Sequence, residues 1–96
     1  MYIVNCAWAY DEDDVVIATP KFFKTYDACV FYIKKEIVNN GFYLEQEGCG
    51  IDVYSCESKG YAIFYKSKKR AEMYRDGEHT SFAIHKVDVR MDARVA

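Results

Sequence analysis

Four cysteines, two histidines and one run of acidic residues are the side chains here that could do chemistry, so their spacing comes first. Cys49-x6-Cys56 and His79-x5-His85 match neither of the tight pairs by which a short loop holds two donors on one side of a zinc ion. Gly48-Cys49-Gly50 sets a thiol in a turn, with His85 as a candidate base. No oxyanion loop and no orienting third residue accompany the pair. Asp11-Glu12-Asp13-Asp14 lacks the alternating oxygen ligands and the glycine of a calcium loop. The spacing therefore predicts no metal, no cofactor and no catalytic residue, and a protein that is not an enzyme. Four adjacent carboxylates have another use: they speed encounter with an Arg/Lys patch on a partner, in a salt-sensitive way. Asp11, Glu12, Asp13 and Asp14 are candidate partner contacts on that ground.

The elements that must position these residues are read from periodicity. Tyr2, Val4, Cys6, Trp8 and Tyr10 alternate with Ile3, Asn5, Ala7 and Ala9, the period of a strand. The acidic run interrupts it, and Val15–Thr19 resumes extended structure until Pro20, which removes a ladder donor. A hairpin with an acidic tip is expected. Thr25 can cap the helix that follows, with Asp27 where the dipole favours a negative charge. Tyr26, Cys29, Val30, Ile33 and Ile37 form one helical stripe, and Gly41 stops it. Residues 42–50 read as a long loop, Ile51–Cys56 and Tyr61–Tyr65 as strands, and Phe82–Val89 as the last strand. From Lys66 to Arg75 two readings compete: a short second helix near 67–76 capped by Ser67, or a hairpin strand closed by Asp76-Gly77, the stronger turn signal. The order strand–strand–helix–strand–strand–strand predicts an α+β fold, an antiparallel sheet of four to five strands with one main helix packed on one face. Residues 1–96 form one domain, with 90–96 as a loosely held tail.

Composition agrees with a packed core: 51% of the residues are hydrophobic, 29% charged, with one Pro and 5 Gly. That excludes disordered and collagen-like chains. No apolar run approaches the roughly 20 residues of a membrane span, and the first residues lack the basic end and apolar centre of an export signal. A cytoplasmic protein with reduced thiols and no membrane partner is the expectation, although Cys49 and Cys56 could pair across a turn. Net charge is −2 overall. Residues 1–48 hold four Lys/Arg against eight Asp/Glu, and residues 49–96 hold nine against seven, so the molecule is polarised rather than broadly attractive to nucleic acid.

Two outward residues stand apart from the helical stripe. Phe31 and Val38, seven positions apart, share one side of the helix and are candidate contacts for a partner or for a second copy of the chain.

Lys59-Gly60-Tyr61-Ala62-Ile63-Phe64-Tyr65-Lys66 resembles the octapeptide of the RNA recognition motif: a basic residue, Gly, an aromatic, then a small residue. Met1-Tyr2-Ile3-Val4-Asn5-Cys6 is loosely similar to its partner hexapeptide. The resemblance implies base stacking by Tyr2 and Tyr61, with Lys59, Lys66, Lys68, Lys69 and Arg70 near phosphates. It departs from the family at Ile63, where the second stacking aromatic belongs, and at Lys66. The wider layout of MYIVNCAWAY, acidic turn, VVIATPKFFKTYDACVFYIKKEI and final FAIHKVDV is similar to small accessory proteins of tailed phages and mobile elements. That resemblance implies an inhibitor of the anti-CRISPR or host-takeover type, acting in the host cell on a host protein or nucleoprotein complex. The combined expectation is a non-enzymatic protein that occludes a partner macromolecule, with single-stranded RNA or DNA binding as the alternative.

Overall fold

The computed structural model describes residues 1–9 and 15–87. In chain order it contains β1 (Tyr2–Ala9), β2 (Val15–Ile17), β3 (Lys21–Phe23), α1 (Tyr26–Asn39), β4 (Tyr43–Glu47), β5 (Ile51–Ser55), β6 (Gly60–Tyr65), β7 (Arg70–Arg75) and β8 (Glu78–Lys86). All eight strands join one antiparallel sheet, in the order β2-β1-β8-β7-β6-β5-β4, with β3 also against β1. The α+β class is as expected. The strand count exceeds the expected four to five.

Apart from β7, which is central, the additional strands β3 and β4 lie at the two edges, where the period of two fades. β2 pairs with Ala7–Ala9 and β3 with Tyr2–Val4, so the two are one edge strand broken at Ala18–Pro20. The register slips by one residue across the break, and Ala18 still donates to the carbonyl of Cys6 at 2.9 Å. Pro20 cannot donate, which is tolerable only at an edge or a bulge. Phe22-Phe23 is therefore part of the sheet, with Phe22 opposite Ile3 and Phe23 opposite Tyr2. Residues 42–50, expected as loop, hold β4, whose five side chains are all exposed and show no alternation.

Helix α1 forms as its sequence requires. Thr25, in extended conformation, accepts from the amide of Ala28 at 3.1 Å. Gly41, at φ +92°, turns the chain out of the helix, and the amide of Phe42 returns to the carbonyl of Ile37 at 3.3 Å. The helix carries the chain from the β3 edge to β4 across one sheet face. Cys29, Ile33 and Ile37 are buried there against Val4, Tyr54, Ala62, Phe64, Ala71, Met73, Phe82 and Ile84.

The second helix near 67–76 does not form. Lys66–Lys69 is a turn with Lys69 at φ 54°, and β7 runs from Arg70. Asp76 at φ 50° and Gly77 at φ 82° then close the β7–β8 hairpin, with Arg75 opposite Glu78. Both central residues take the positive φ of the turn whose twist suits a hairpin. The last strand is Glu78–Lys86 and starts earlier than expected.

One charged group sits within the core. Asp52 is 0% exposed and faces the helix side of β5. Lys34 of α1 places its Nζ 3.2 Å from one carboxylate oxygen, and Lys66 its own 3.1 Å from the other. Lys66 also donates to the carbonyl of Gly48. Burial pushes this carboxyl upward, but the two ammonium groups together outweigh it and hold the group below its usual range. The triad ties α1, β5 and the β6–β7 turn at one point.

Candidate functional site

The helix covers one face of the sheet; among the described residues nothing covers the other. Because strand side chains alternate, the register determines what that open face presents. One row crosses the whole sheet: Tyr43, Ser55, Tyr61, Tyr74, His79, Ala9 and Val15. The next row contains Val53, Ile63, Glu72, Ser81, Ala7 and Ile17. An antiparallel sheet with a solvated face ordinarily reads polar on that side. This one is mostly aromatic and aliphatic.

Its centre is locked by a carboxylate. Glu72, 15% exposed, accepts a hydrogen bond from the Tyr74 hydroxyl, lies 2.9 Å from His79 Nε2, and has Arg70 Nη2 at 3.6 Å. The Tyr74 bond holds the Glu72 carboxyl below its ordinary range; burial opposes, and His79 and Arg70 assist. In return the Glu72 hydrogen bond, with burial, pushes the Tyr74 phenol up to about 12. The Tyr74 ring stacks on His79 at 4.3 Å between centroids with planes 7° apart. Its other side meets Tyr61 at 4.9 Å and 31°. The three rings thus form a rigid row, with one ring face of Tyr61 left free at its end.

Beside this row lies a hollow of about 550 Å³ at the β7–β8 turn, lined by Lys59, Gly60, Tyr61, Tyr74, Arg75 and His79 among others. Gly60 is required there, since a Cβ would run into the carbonyl of Tyr74. Arg75 alternates with Tyr74 and sends its guanidinium to the helix side, to the carbonyl of Asn40 and the Phe42 ring, 5.2 Å from its guanidinium carbon. The hollow is open and preformed, with polar tips around apolar rings.

The residues expected to act together are placed as follows. Asp11, Glu12, Asp13 and Asp14 lie outside the described residues. Phe31, 69% exposed, and Val38 project from the outer side of α1, away from the sheet. Neither β4 nor any other described segment folds over them. Tyr61, Ile63 and Tyr65 share the open face, whereas Tyr2 lies on the helix side, its ring 6.0 Å from that of Tyr26. The RNA-motif arrangement, with Tyr2 and Tyr61 on one surface, is absent.

The basic cluster is likewise divided. Lys66 is committed to Asp52, Lys69 stands over the Tyr26 ring at 5.9 Å, and Arg70 is beside Glu72. Lys68 alone of the turn lysines is directed to an open-face ring, that of Tyr65 at 5.4 Å. Lys59 lines the hollow.

Glu72, Tyr74 and His79 were not among the expected contacts. The signal for them was present: buried Ala71 and Met73 alternate with Arg70, Glu72 and Tyr74 once the segment is taken as a strand.

All four thiols are unpaired: Cys29 is buried, Cys6 and Cys56 half-buried and Cys49 exposed. Among the described residues no group of three His, Cys, Asp or Glu could hold a metal ion. No described helix is long and apolar enough to cross a membrane. Comparison of the chain with protein-family models, curated proteins and solved structures gives no match.

Proposed function

We propose that this chain is a non-enzymatic binding protein that occludes a partner macromolecule, with the open sheet face as its principal contact. The observation that carries the reading is the Tyr61–Tyr74–His79 row, fixed by Glu72 beside a preformed hollow. Side chains already held by stacking and hydrogen bonds lose little freedom on binding, so more of the contact energy reaches affinity. Tyr and Arg are also the residues that dominate protein interfaces, because each combines apolar area with a polar end. Phe31 and Val38 offer a second, smaller contact on the opposite side of the molecule. The acidic run 11–14 would add steering toward a basic partner. An inhibitor of a host protein, the kind of protein its element order resembles, is one form such a binder would take.

A protein partner is favoured over single-stranded nucleic acid by the ring geometry. Stacking of successive bases needs several open ring faces on one surface; Tyr74 is enclosed by its neighbours and Tyr2 lies on the helix side, so of the row Tyr61 alone ends in an open face. The lysines needed for phosphates are spread over both sides of the sheet.

Tyr61→Ala removes the end ring without touching the core. Captured partner from a cell lysate should fall at least tenfold with this variant and persist with Lys86→Ala. Fluorescence anisotropy with labelled single-stranded RNA and DNA provides the counter-test. Salt-sensitive micromolar binding that Tyr61→Ala abolishes would overturn the protein-partner reading.

A further inference from the structure

The other half of the open face has a different relief. Val15, Ile17 and Phe22, on the β2/β3 edge, are 60%, 75% and 62% exposed and all project to this face. They form an apolar ridge. Next to it, over β1 and β8, the side chains are small: Asn5, Ala7, Ser81 and Ala83 floor a trough of about 290 Å³ walled by Ile17 and Arg70. Ridge and trough are therefore about one to two strand spacings apart, at about 4.8 Å per spacing.

We infer that this ridge and trough join two copies of the chain. The relief is self-complementary: a two-fold axis between ridge and trough, parallel to the strands, sets the ridge of each copy into the trough of the other. Charge permits it. Among the described residues of ridge and trough the charged group, Arg70, is already beside Glu72, so no unpaired charge is set against its copy there. A polyanion would find little to neutralise there. Area also permits it. The three ridge residues expose roughly 300–400 Å². Repeated by the two-fold axis and enlarged by the trough floors, the contact comes to roughly 800–900 Å², in the range of weak, transient interfaces. The dimer is therefore weak, with a dissociation constant on the order of 10–100 μM. Because the overlap is confined to β2, β3, β1 and β8, the Tyr61 end of each sheet stays free. The inference stands independently of the proposed partner contact, and Tyr61→Ala separates them.

Sedimentation equilibrium of the full chain up to about 300 μM is the test. A monomer–dimer equilibrium is expected, weakened at least tenfold by Ile17→Asp on the ridge and equally by Ala83→Leu, which fills the trough. Tyr61→Ala and Phe31→Asp should leave it unchanged. Circular dichroism of each variant checks that the fold is kept, and Ala7→Leu replaces Ala83→Leu if that variant unfolds. A monomer throughout this range would overturn the inference. So would a dimer that survives both the ridge and the trough variant, a dimer lost in Phe31→Asp, or open-ended assembly. If removal of residues 88–96 turns a monomer into a dimer, the trough is occupied by the chain's own end, which also overturns it.

Discussion

Each face of the sheet carries one carboxylate held by several partners, and the two settings contrast sharply. Asp52 faces the helix, is fully buried and has, among the described residues, two ammonium groups as partners. Glu72 faces outward, keeps some solvent, and is held by a phenol, an imidazole and a guanidinium on its own and neighbouring strands. The partners of Asp52 come from α1 and the β6–β7 turn, so that group ties elements together. The partners of Glu72 all lie on β7 and β8, so it orders a surface already built. The same chemistry thus stabilises on one face and preorganises on the other.

The largest effect should come from depriving Asp52 of its cations. Lys34→Met with Lys66→Met leaves a buried carboxylate uncompensated, at a cost of about 3–5 kcal/mol at neutral pH in urea unfolding. The pH dependence should also change sign. In the natural chain the folded-state value is depressed, so this stability is present above the unfolded value near about 3.9 and is lost as pH falls through the folded one. In the double variant burial alone acts and raises the value. Stability should then increase as pH falls toward it. A variant with the natural acid limb would show that the lysines are incidental.

Glu72→Gln should have a smaller and different effect. The amide keeps the shape but weakens the bonds to Tyr74 and His79, for a loss of about 1 kcal/mol. Its sharper readout is the Tyr74 phenol. That group's folded value of about 12 exceeds its unfolded one, so its contribution is full below pH ~10 and lost as pH rises through the folded value. Ultraviolet titration should show one tyrosine moving back toward the ordinary range in Glu72→Gln. An unchanged titration would mean that the row is not held by Glu72, and partner binding should then be insensitive to the substitution.

The difference between the faces also governs what could be read from the residues. The helix side was legible: the Thr25 cap, the Cys29/Ile33/Ile37 stripe and the Asp76-Gly77 turn each depend on local chemistry that the chain displays directly. The alternation of Tyr2 with Val4 and Cys6 puts it with the core, against the stacking role that the RNA-motif resemblance implies for it beside Tyr61. Asp52 was hidden by its charge, although the Asp52/Tyr54 alternation assigns it to the buried side. β4 left no trace because an edge strand exposed at Tyr43, Leu44, Glu45, Gln46 and Glu47 has no face to mark. The Glu72 network was obscured by residues 67–76, where good helix formers such as Ala71, Glu72 and Met73 compete with hairpin pairing to β6 and β8. Pairing with the strands on either side outweighed helix propensity there. The role of Glu72 depends on His79, which only the hairpin brings opposite Tyr74.

The smallest expected effect divides the faces at two adjacent residues. Lys68 and Lys69 follow one another in the β6–β7 turn, yet Lys68 lies over Tyr65 on the open side and Lys69 over Tyr26 on the helix side. The positive φ of Lys69 reverses the chain at this point and sends the two ammonium groups apart. Exposed contacts of this type contribute only about 0.5–1 kcal/mol, and salt weakens them. Lys69→Gln should therefore lower stability by at most about that amount and leave partner capture unchanged. Lys68→Gln should leave stability within about 0.5 kcal/mol of the natural chain and reduce partner capture by a few fold. Equal behaviour of the two variants in both assays would mean that the turn does not distribute its charges between the faces, and that the open side contributes no more to recognition than the covered one.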